Sequence, residues 1–337
     1  FNIVNEVKKN NKKNNWDCVV PVSGGKDSVY QALKLRELGL NPLCVTSTTC
    51  DLSELGKKNI ENLKQQGFDY IEFSSNPIVR KKLNRIGLEM IGDISWPEHI
   101  SINTIPINVA VKYDIKLIFW GENSQNEYGG TDKAAKAREL TWEWLLQYAD
   151  FAGLRISDVE GLYNLEKKDL IPYYYPPAEK IKKAKIQSLF LGYFFPWSGY
   201  KNYEYVMKHG FITYDKWVEG SYGNYENLDN HQTGIHDYFK FLKFGWSRAT
   251  DILSMAIRRN QISRKDALKI IKERDGKYPK SYLGKPLKKI LSDINMSVEE
   301  FDIICDRFTN KDIFLCNNDG KLIKDEHNCL IKKKYDN

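Results

Sequence analysis

Residues 16–40 read WDCVVPVSGGKDSVYQALKLRELGL, and the fold turns on them. Residues 18–22, CVVPV, are a short apolar run rich in valine, the pattern of a buried strand. Ser23, Gly24, Gly25, Lys26, Asp27 and Ser28 follow without a spacer. Val29, Ala32, Leu33 and Leu40, with Arg36 and Glu37 between them, then read as a helix that buries one face. The order strand, glycine turn, helix opens a helix N-terminus at the turn. The first N–H groups there have no intrahelical partner and carry the positive end of the helix dipole, which suits an anion. Two glycines let the backbone come close to it, and Lys26, Ser23 and Ser28 add side-chain donors. The stretch predicts a phosphate site.

Working outward, the same alternation repeats. Residues 41–49, NPLCVTSTT, begin a second strand, and its polar end carries Thr46 and Ser47 where α/β sheets bind ligands. A helix over 54–66 stops at Gly67, and residues 69–73, DYIEF, make a third strand. Residues 77–90 and 97–113 read as helices, the second kinked near Pro106, and residues 116–120, KLIFW, as a fourth strand. Strands alternating with helices predict a parallel sheet covered on both faces. Residues 120–130, WGENSQNEYGG, follow the fourth strand and load its carboxyl end with Gly121, Glu122 and Glu127; a solvated loop is the alternative.

Beyond these, residues 133–148 read as one helix, residues 172–177 (PYYYPP) as a linker or hinge, and residues 189–195 (LFLGYFF) as the last core strand. Residues 234–251, GIHDYFKFLKFGWSRATD, read as helix, break at Gly245, then helix, with Arg248 suited to a planar grip on phosphate. His236 in that stretch reads first as a structural histidine. Ser263 and Ser297 open two further capped helices, so the C-terminal third is helical. The predicted division is an α/β domain over 1–198 that carries the phosphate loop and a mainly helical region over 199–337 that binds substrate or a partner.

Composition narrows the class. The 337 residues are 42% hydrophobic, ample for a core. A net charge of +7 is spread along the chain, with dense runs only at 8–13 and 332–334, which reads as solvated surface rather than a nucleic-acid stripe. Six cysteines without a CxxC pair read as reduced thiols of a cytoplasmic protein. No apolar stretch is long enough to span a bilayer, so no membrane partner is expected. No cluster has metal-ligand spacing.

The loop is neither GxxxxGK[ST] nor GxGxxG. SGGKDS resembles the PP-loop of the ATP pyrophosphatases, the adenylating superfamily that includes GMP synthetase and argininosuccinate synthetase. The likeness narrows further. VPVSGGKDS, NPLCVTS, NIENLKQQGFDYIEF, WGEN…EYGG, GIHDYFKFLKFGWSRATD and KIIKERDGKYP, in order, resemble the N-acetyl sugar amidotransferases of lipopolysaccharide and of pseudaminic- or legionaminic-acid biosynthesis. That resemblance implies an adenine nucleotide alpha hydrolase-like fold, ATP with Mg2+, and a nucleotide-activated N-acetyl sugar as substrate. It implies an acetamido group converted to an acetamidino group through an O-adenylyl imidate and ammonia. Separate glutaminase and cyclase-like subunits would supply the ammonia. Motif by motif, it assigns Ser23, Gly24, Gly25, Lys26, Asp27 and Ser28 to pyrophosphate, with Asp27 holding the loop or Mg2+. Thr46 and Ser47 fall near the adenosine, Gly121 and Glu122 at the reacting centre, and Arg248 on phosphate. Relatives commonly carry a cysteine-rich zinc segment ahead of the first strand. The sequence given opens after that place, so no metal site is expected in it. The alternatives are a PP-loop enzyme that modifies tRNA by thiolation or lysidine formation, and a nucleotide-binding module without catalysis.

Overall fold

The computed structural model describes residues 4–5, 15–127, 130–148 and 152–333. The basic run at 8–13, nearly all of the N-terminal arm, Tyr128, Gly129 and Lys334 lie outside the described residues. The chain forms two compact units, one of residues 1–80 with 96–213, the other of residues 81–95 with 214–337.

The first unit is built on five parallel strands: β1 (Cys18–Pro21), β2 (Pro42–Ser47), β3 (Asp69–Phe73), β4 (Leu117–Trp120) and β5 (Gln187–Phe190). Their order is β3-β2-β1-β4-β5. Four helices lie between β1 and β4: α1 (Lys26–Glu37), α2 (Glu54–Gln65), α3 (Pro77–Ile91) and α4 (Trp96–Lys112). The register runs Val19↔Leu43 and Cys44↔Tyr70 on one side of β1 and Val19↔Ile118 on the other. Period-two alternation gives the sheet two buried faces. Val19, Leu43, Val45, Ile118, Trp120 and Phe190 join Ile105, Ile107 and Ala110 of α4 in one core. The expected α/β sheet is present.

Three local readings change. The apolar run at 189–195 is half strand and half helix: β5 ends at Phe190, and Leu191–Phe194 turns helical. An unbroken apolar run carries no period, so it cannot tell the two apart. The helix over 133–148 is two short ones, Asp132–Ala135 and Trp142–Tyr148, because Leu140 N–H donates to Ser188 O at 2.9 Å and draws the intervening chain onto the sheet. Residues 172–177 are packed chain, not a linker. Tyr173 is buried, and its hydroxyl accepts from Arg80 Nε at 2.9 Å and donates to Ser75 Oγ at 3.1 Å. Tyr175 stacks on Trp142 at 4.4 Å between ring centroids.

Arg80 is 2% exposed. Its guanidinium pairs with Glu98 at 3.1 Å and donates to Ser75 and Ser101 as well as Tyr173. Burial pulls its pKa down, and Glu98 and Tyr173 together, by charge and hydrogen bonds, more than offset that.

After β5, α5 (Gly199–Met207) completes the first unit against α1, where Tyr30 meets Trp197 and Tyr205 edge-on at 5.5 and 5.3 Å. The second unit carries α6 (Thr233–Phe244), α7 (Arg248–Arg258), α8 (Arg264–Arg274), a hairpin of β6 (Ser281–Tyr282) and β7 (Lys285–Pro286), and α9 (Val298–Phe308). Gly245, at φ +80°, makes the left-handed break expected between α6 and α7. Ser263 accepts from Asp266 N–H, and Ser297 forms a full capping box with Glu300. Among the described residues no helix is long and apolar enough to cross a membrane.

Candidate functional site

The sheet order sets the place. From β1 the chain steps outward through β2 to β3, then returns to lay β4 on the other side of β1. The carboxyl ends of β1 and β4 therefore diverge at a switch point, where open α/β sheets leave a crevice. The loop Ser23, Gly24, Gly25, Lys26, Asp27, Ser28 leaves β1 there, and Gly121 and Glu122 leave β4. Gln31 of α1 bridges the two strands, its amide donating to Phe119 O. A Cβ on Gly121 would lie 3.2 Å from the Trp197 ring and 3.3 Å from Gln31 Oε1. The two motifs, 93 residues apart between Ser28 and Gly121, thus sit at one edge.

Within the loop, Gly24 holds φ +87°, and a Cβ there would meet Gly56 O and Ile60 Cγ1 at 2.9 Å each. Only glycine fits. Gly25 is the N-cap of α1 with extended backbone, and it offers no side-chain cap to the first turn. Ser28 Oγ donates to Gly25 O at 3.0 Å and accepts weakly from Ser23 N–H at 3.3 Å, which curls the loop over the helix end. Lys26 is 5% exposed, and its ammonium pairs with Asp27 at 2.8 Å. Asp27 is held from its other oxygen by Asn202 Nδ2 of α5 at 2.7 Å. A helix N-terminus without a side-chain cap is the kind of backbone end that suits an anion.

At the end of β2, Thr46 Oγ1 donates to Val22 O and meets the Tyr70 hydroxyl, so its side chain braces β2 between its neighbours. The Ser47, Thr48 and Thr49 hydroxyls are buried without a hydrogen-bond partner among the described residues. Three consecutive orphaned hydroxyls at a strand's carboxyl end are costly unless a ligand satisfies them. Glu122 is half-buried. Asn123 anchors its loop by donating to Ala134 O at 2.7 Å and accepting from Gln125 N–H at 3.0 Å. The side chains of Asn126 and Glu127 lie outside the described residues.

Arg248 belongs to the second unit. It is the first residue of α7, and Asp237 grips its guanidinium through two bonds at 3.0 and 3.3 Å. His236 Nδ1 lies 2.8 Å from Asp93 Oδ1 in the same unit. Sequence reasoning passed over Asn202 and Gln31, and took Thr48 and Thr49 only as part of the polar run that ends β2. Asn202 lies 175 residues from Asp27, and no local pattern announces such a contact. The two threonines stand in the polar run that drew Thr46 and Ser47, and that run was the available signal.

Residues 198–325 match the family model described as "LPS biosynthesis protein WbpG-like, C-terminal domain", a stretch shorter than half the chain. It begins just before α5, so it includes Asn202 but not the loop that Asn202 holds. No curated protein matches significantly. Among solved structures, the NMN synthetase of Francisella tularensis is 13% identical and covers 55% of this chain and 90% of its own, at a TM-score of 0.31. The NH3-dependent NAD synthetase of Campylobacter jejuni is 17% identical, covering 55% and 89%, at 0.31. A predicted subunit of tRNA methyltransferase from Methanocaldococcus jannaschii is 13% identical, covering 81% and 98%, again at 0.31. TM-scores of this size assign no activity.

Proposed function

We propose that this chain is an ATP-dependent, AMP-forming amidotransferase. It converts the acetamido group of a nucleotide-activated sugar into an acetamidino group in surface-glycan or nonulosonic-acid biosynthesis. The observation that carries the reading is the loop at the uncapped N-terminus of α1, with Lys26 buried beside it and Gly121 and Glu122 at the same sheet edge. The family model over residues 198–325, whose description names LPS biosynthesis, supports the glycan setting.

In the proposed reaction the acetamido oxygen attacks the α-phosphorus of ATP, and the bond to the bridging oxygen breaks. Pyrophosphate leaves with that electron pair. The α1 N–H groups and Lys26 hold the departing phosphates, so the negative charge forms where donors already point. Ammonia adds to the imidate carbon, the C–O bond breaks, and AMP carries the former acetamido oxygen away. Ammonia gives up one proton as the amidinium forms, and Glu122 is the group we assign to take it. The orphaned hydroxyls of Ser47, Thr48 and Thr49 suit the nucleoside. Mg2+ would enter with ATP and neutralise its phosphates. Asp27 already accepts from Lys26 and Asn202, which fits it to fixing the loop rather than the ion. Arg248 is engaged by Asp237, and we assign it no contact with ATP. Ammonia from a separate glutaminase is part of the proposal.

The test is product analysis with ATP, Mg2+ and ammonium, run with a CMP- or UDP-linked N-acetylated sugar acid and separately with tRNA. AMP and pyrophosphate are expected only with the sugar, together with a sugar product about one mass unit lighter, since NH replaces O. AMP driven by tRNA would move the activity to RNA modification. ADP, or bound ATP without turnover, would sink the adenylation chemistry.

A further inference from the structure

The phosphate loop is held from two sides, and both holds lead to one stretch of chain. On one side Gly24 packs against α2, where a Cβ would stand 2.9 Å from both Gly56 O and Ile60 Cγ1. On the other, Asp27 Oδ1 accepts from Asn202 of α5 at 2.7 Å while Oδ2 accepts from Lys26 at 2.8 Å. Asn202 is buried. The end of α5 is in turn tied back to α2. Asn59 Nδ2 donates to Ile212 O at 3.0 Å, and Asn59 Oδ1 accepts Ile212 N–H at 2.8 Å. Asn62 Nδ2 and Gln66 Nε2 both donate to His209 O at 3.0 Å. Steps of three and four residues put these amides on one face of the helix. Gly210, at φ +80°, turns the chain between the two captured residues.

Asn59 does most in this clasp. It is 1% exposed, and its one amide satisfies both backbone groups of Ile212, as a neighbouring strand would. It also stands in the turn from Gly56 to Ile60 that Gly24 touches. The contacts therefore close a ring of loop, α2, the tail of α5, α5 itself and the loop again. Within that ring the aim of Lys26 depends on other residues. A carboxylate bonded at one oxygen swings about its Cβ–Cγ bond, whereas Asp27 is bonded at both. Asn202 supplies the second bond, and it keeps its place because α5 is fixed beyond its last turn by Asn59, Asn62 and Gln66. Side chains that must meet a ligand in one geometry need supports of this kind.

We propose that Asn202 and Asn59 are positioning residues for ATP. They hold the loop in the shape that grips the phosphates, and bound ATP in turn tightens residues 209–212 onto α2. The proposal rests on the reading of the loop as an ATP site. Coupling of this sort is reciprocal, so what the clasp gives to ATP affinity ATP returns to the clasp. The experiment uses the full chain with ATP and Mg2+ and has two parts. In calorimetric titration, Asn202→Ala should weaken ATP about ten-fold and Asn59→Ala about three-fold, in conditions where circular dichroism shows each variant folded. Glu204→Ala, an exposed change on α5, should bind as the parent does. In hydrogen exchange of the parent chain, saturating ATP should slow the amides of residues 209–213 about three-fold or more, and Lys26→Ala should remove that slowing. A purely structural clasp would move unfolding and leave both readouts unchanged. Parent-like ATP affinity in the folded Asn202→Ala and Asn59→Ala variants would overturn the proposal alone, as would exchange at 209–213 indifferent to ATP. A parent chain that binds no ATP would sink the adenylation reading and this proposal with it.

Discussion

Two ion pairs in the first unit look alike on paper and behave oppositely. Arg80–Glu98 is 2% and 6% exposed at its side chains, and Arg80 donates to four different residues drawn from separate parts of the chain. Lys26–Asp27 joins sequence neighbours in a loop at an uncapped helix end, with Asp27 27% exposed. The first pair is locked by partners that leave a guanidinium no other use. The second sits at the start of a helix that has no side-chain cap, with one partner carboxylate partly open to solvent. The first arrangement is a strut; the second is the one the proposed reaction uses.

The largest expected effects set the two pairs apart. Arg80→Ala leaves Glu98 buried without its cation and should cost about 3–5 kcal/mol in urea unfolding, because breaking a buried pair is worse than never having made it. Lys26→Ala should change unfolding by less than about 1 kcal/mol, since Asp27 keeps Asn202 and some solvent. The same variant should lower the rate of AMP formation about 100- to 1,000-fold, the usual loss for a positioned charge-stabilising donor. If Lys26→Ala unfolds the chain as readily as Arg80→Ala, the distinction collapses.

Gly24→Ala sharpens the loop side. The left-handed backbone and the two 2.9 Å contacts should together cost roughly 2 kcal/mol or more, read as a lower urea midpoint. A wild-type midpoint would mean the loop does not pack against α2 at Gly24 as described. Asn202→Ala removes a bond to a charged group and should cost about 1.5 kcal/mol, at the lower end because Asp27 is partly exposed. An unchanged stability would show that α5 does not hold the loop.

The smallest effect concerns pH. Burial raises the Asp275 carboxyl above its ordinary value, outweighing the bonds from Thr250 and Ser247 that lower it. The folded state therefore binds that proton more tightly than the unfolded chain. Its contribution is present in full below about pH 3.9 and is lost as pH rises through the raised folded value. Asp275→Asn removes this titration, so stability measured across that window should fall less steeply with pH than in the parent. An identical slope would place the titration elsewhere.

What was legible in the sequence was what is local in it. The strand at β1, the loop and α1 form one continuous stretch, and valine content, paired glycines and helical spacing each mark a separate part of it. Thr46 and Ser47 were legible as a polar run at a strand end, but not that Thr46 braces the sheet while Ser47, Thr48 and Thr49 are left unsatisfied. Residues 172–177 misled because their prolines suggest a linker, whereas Tyr173 is pinned by Arg80 from 93 residues away. Local pattern reports the backbone's course; side-chain partners across long separations have no local signal.

The central claim is that the acetamido oxygen becomes part of AMP. Its most direct test labels that oxygen with oxygen-18 in the sugar substrate, runs the reaction with ATP, Mg2+ and ammonium, and reads the AMP by mass spectrometry. The expected result is one labelled oxygen on the phosphate of AMP, about two mass units heavier, and none in pyrophosphate. Label retained in the sugar, or appearing in pyrophosphate or inorganic phosphate, would contradict adenylation at that oxygen.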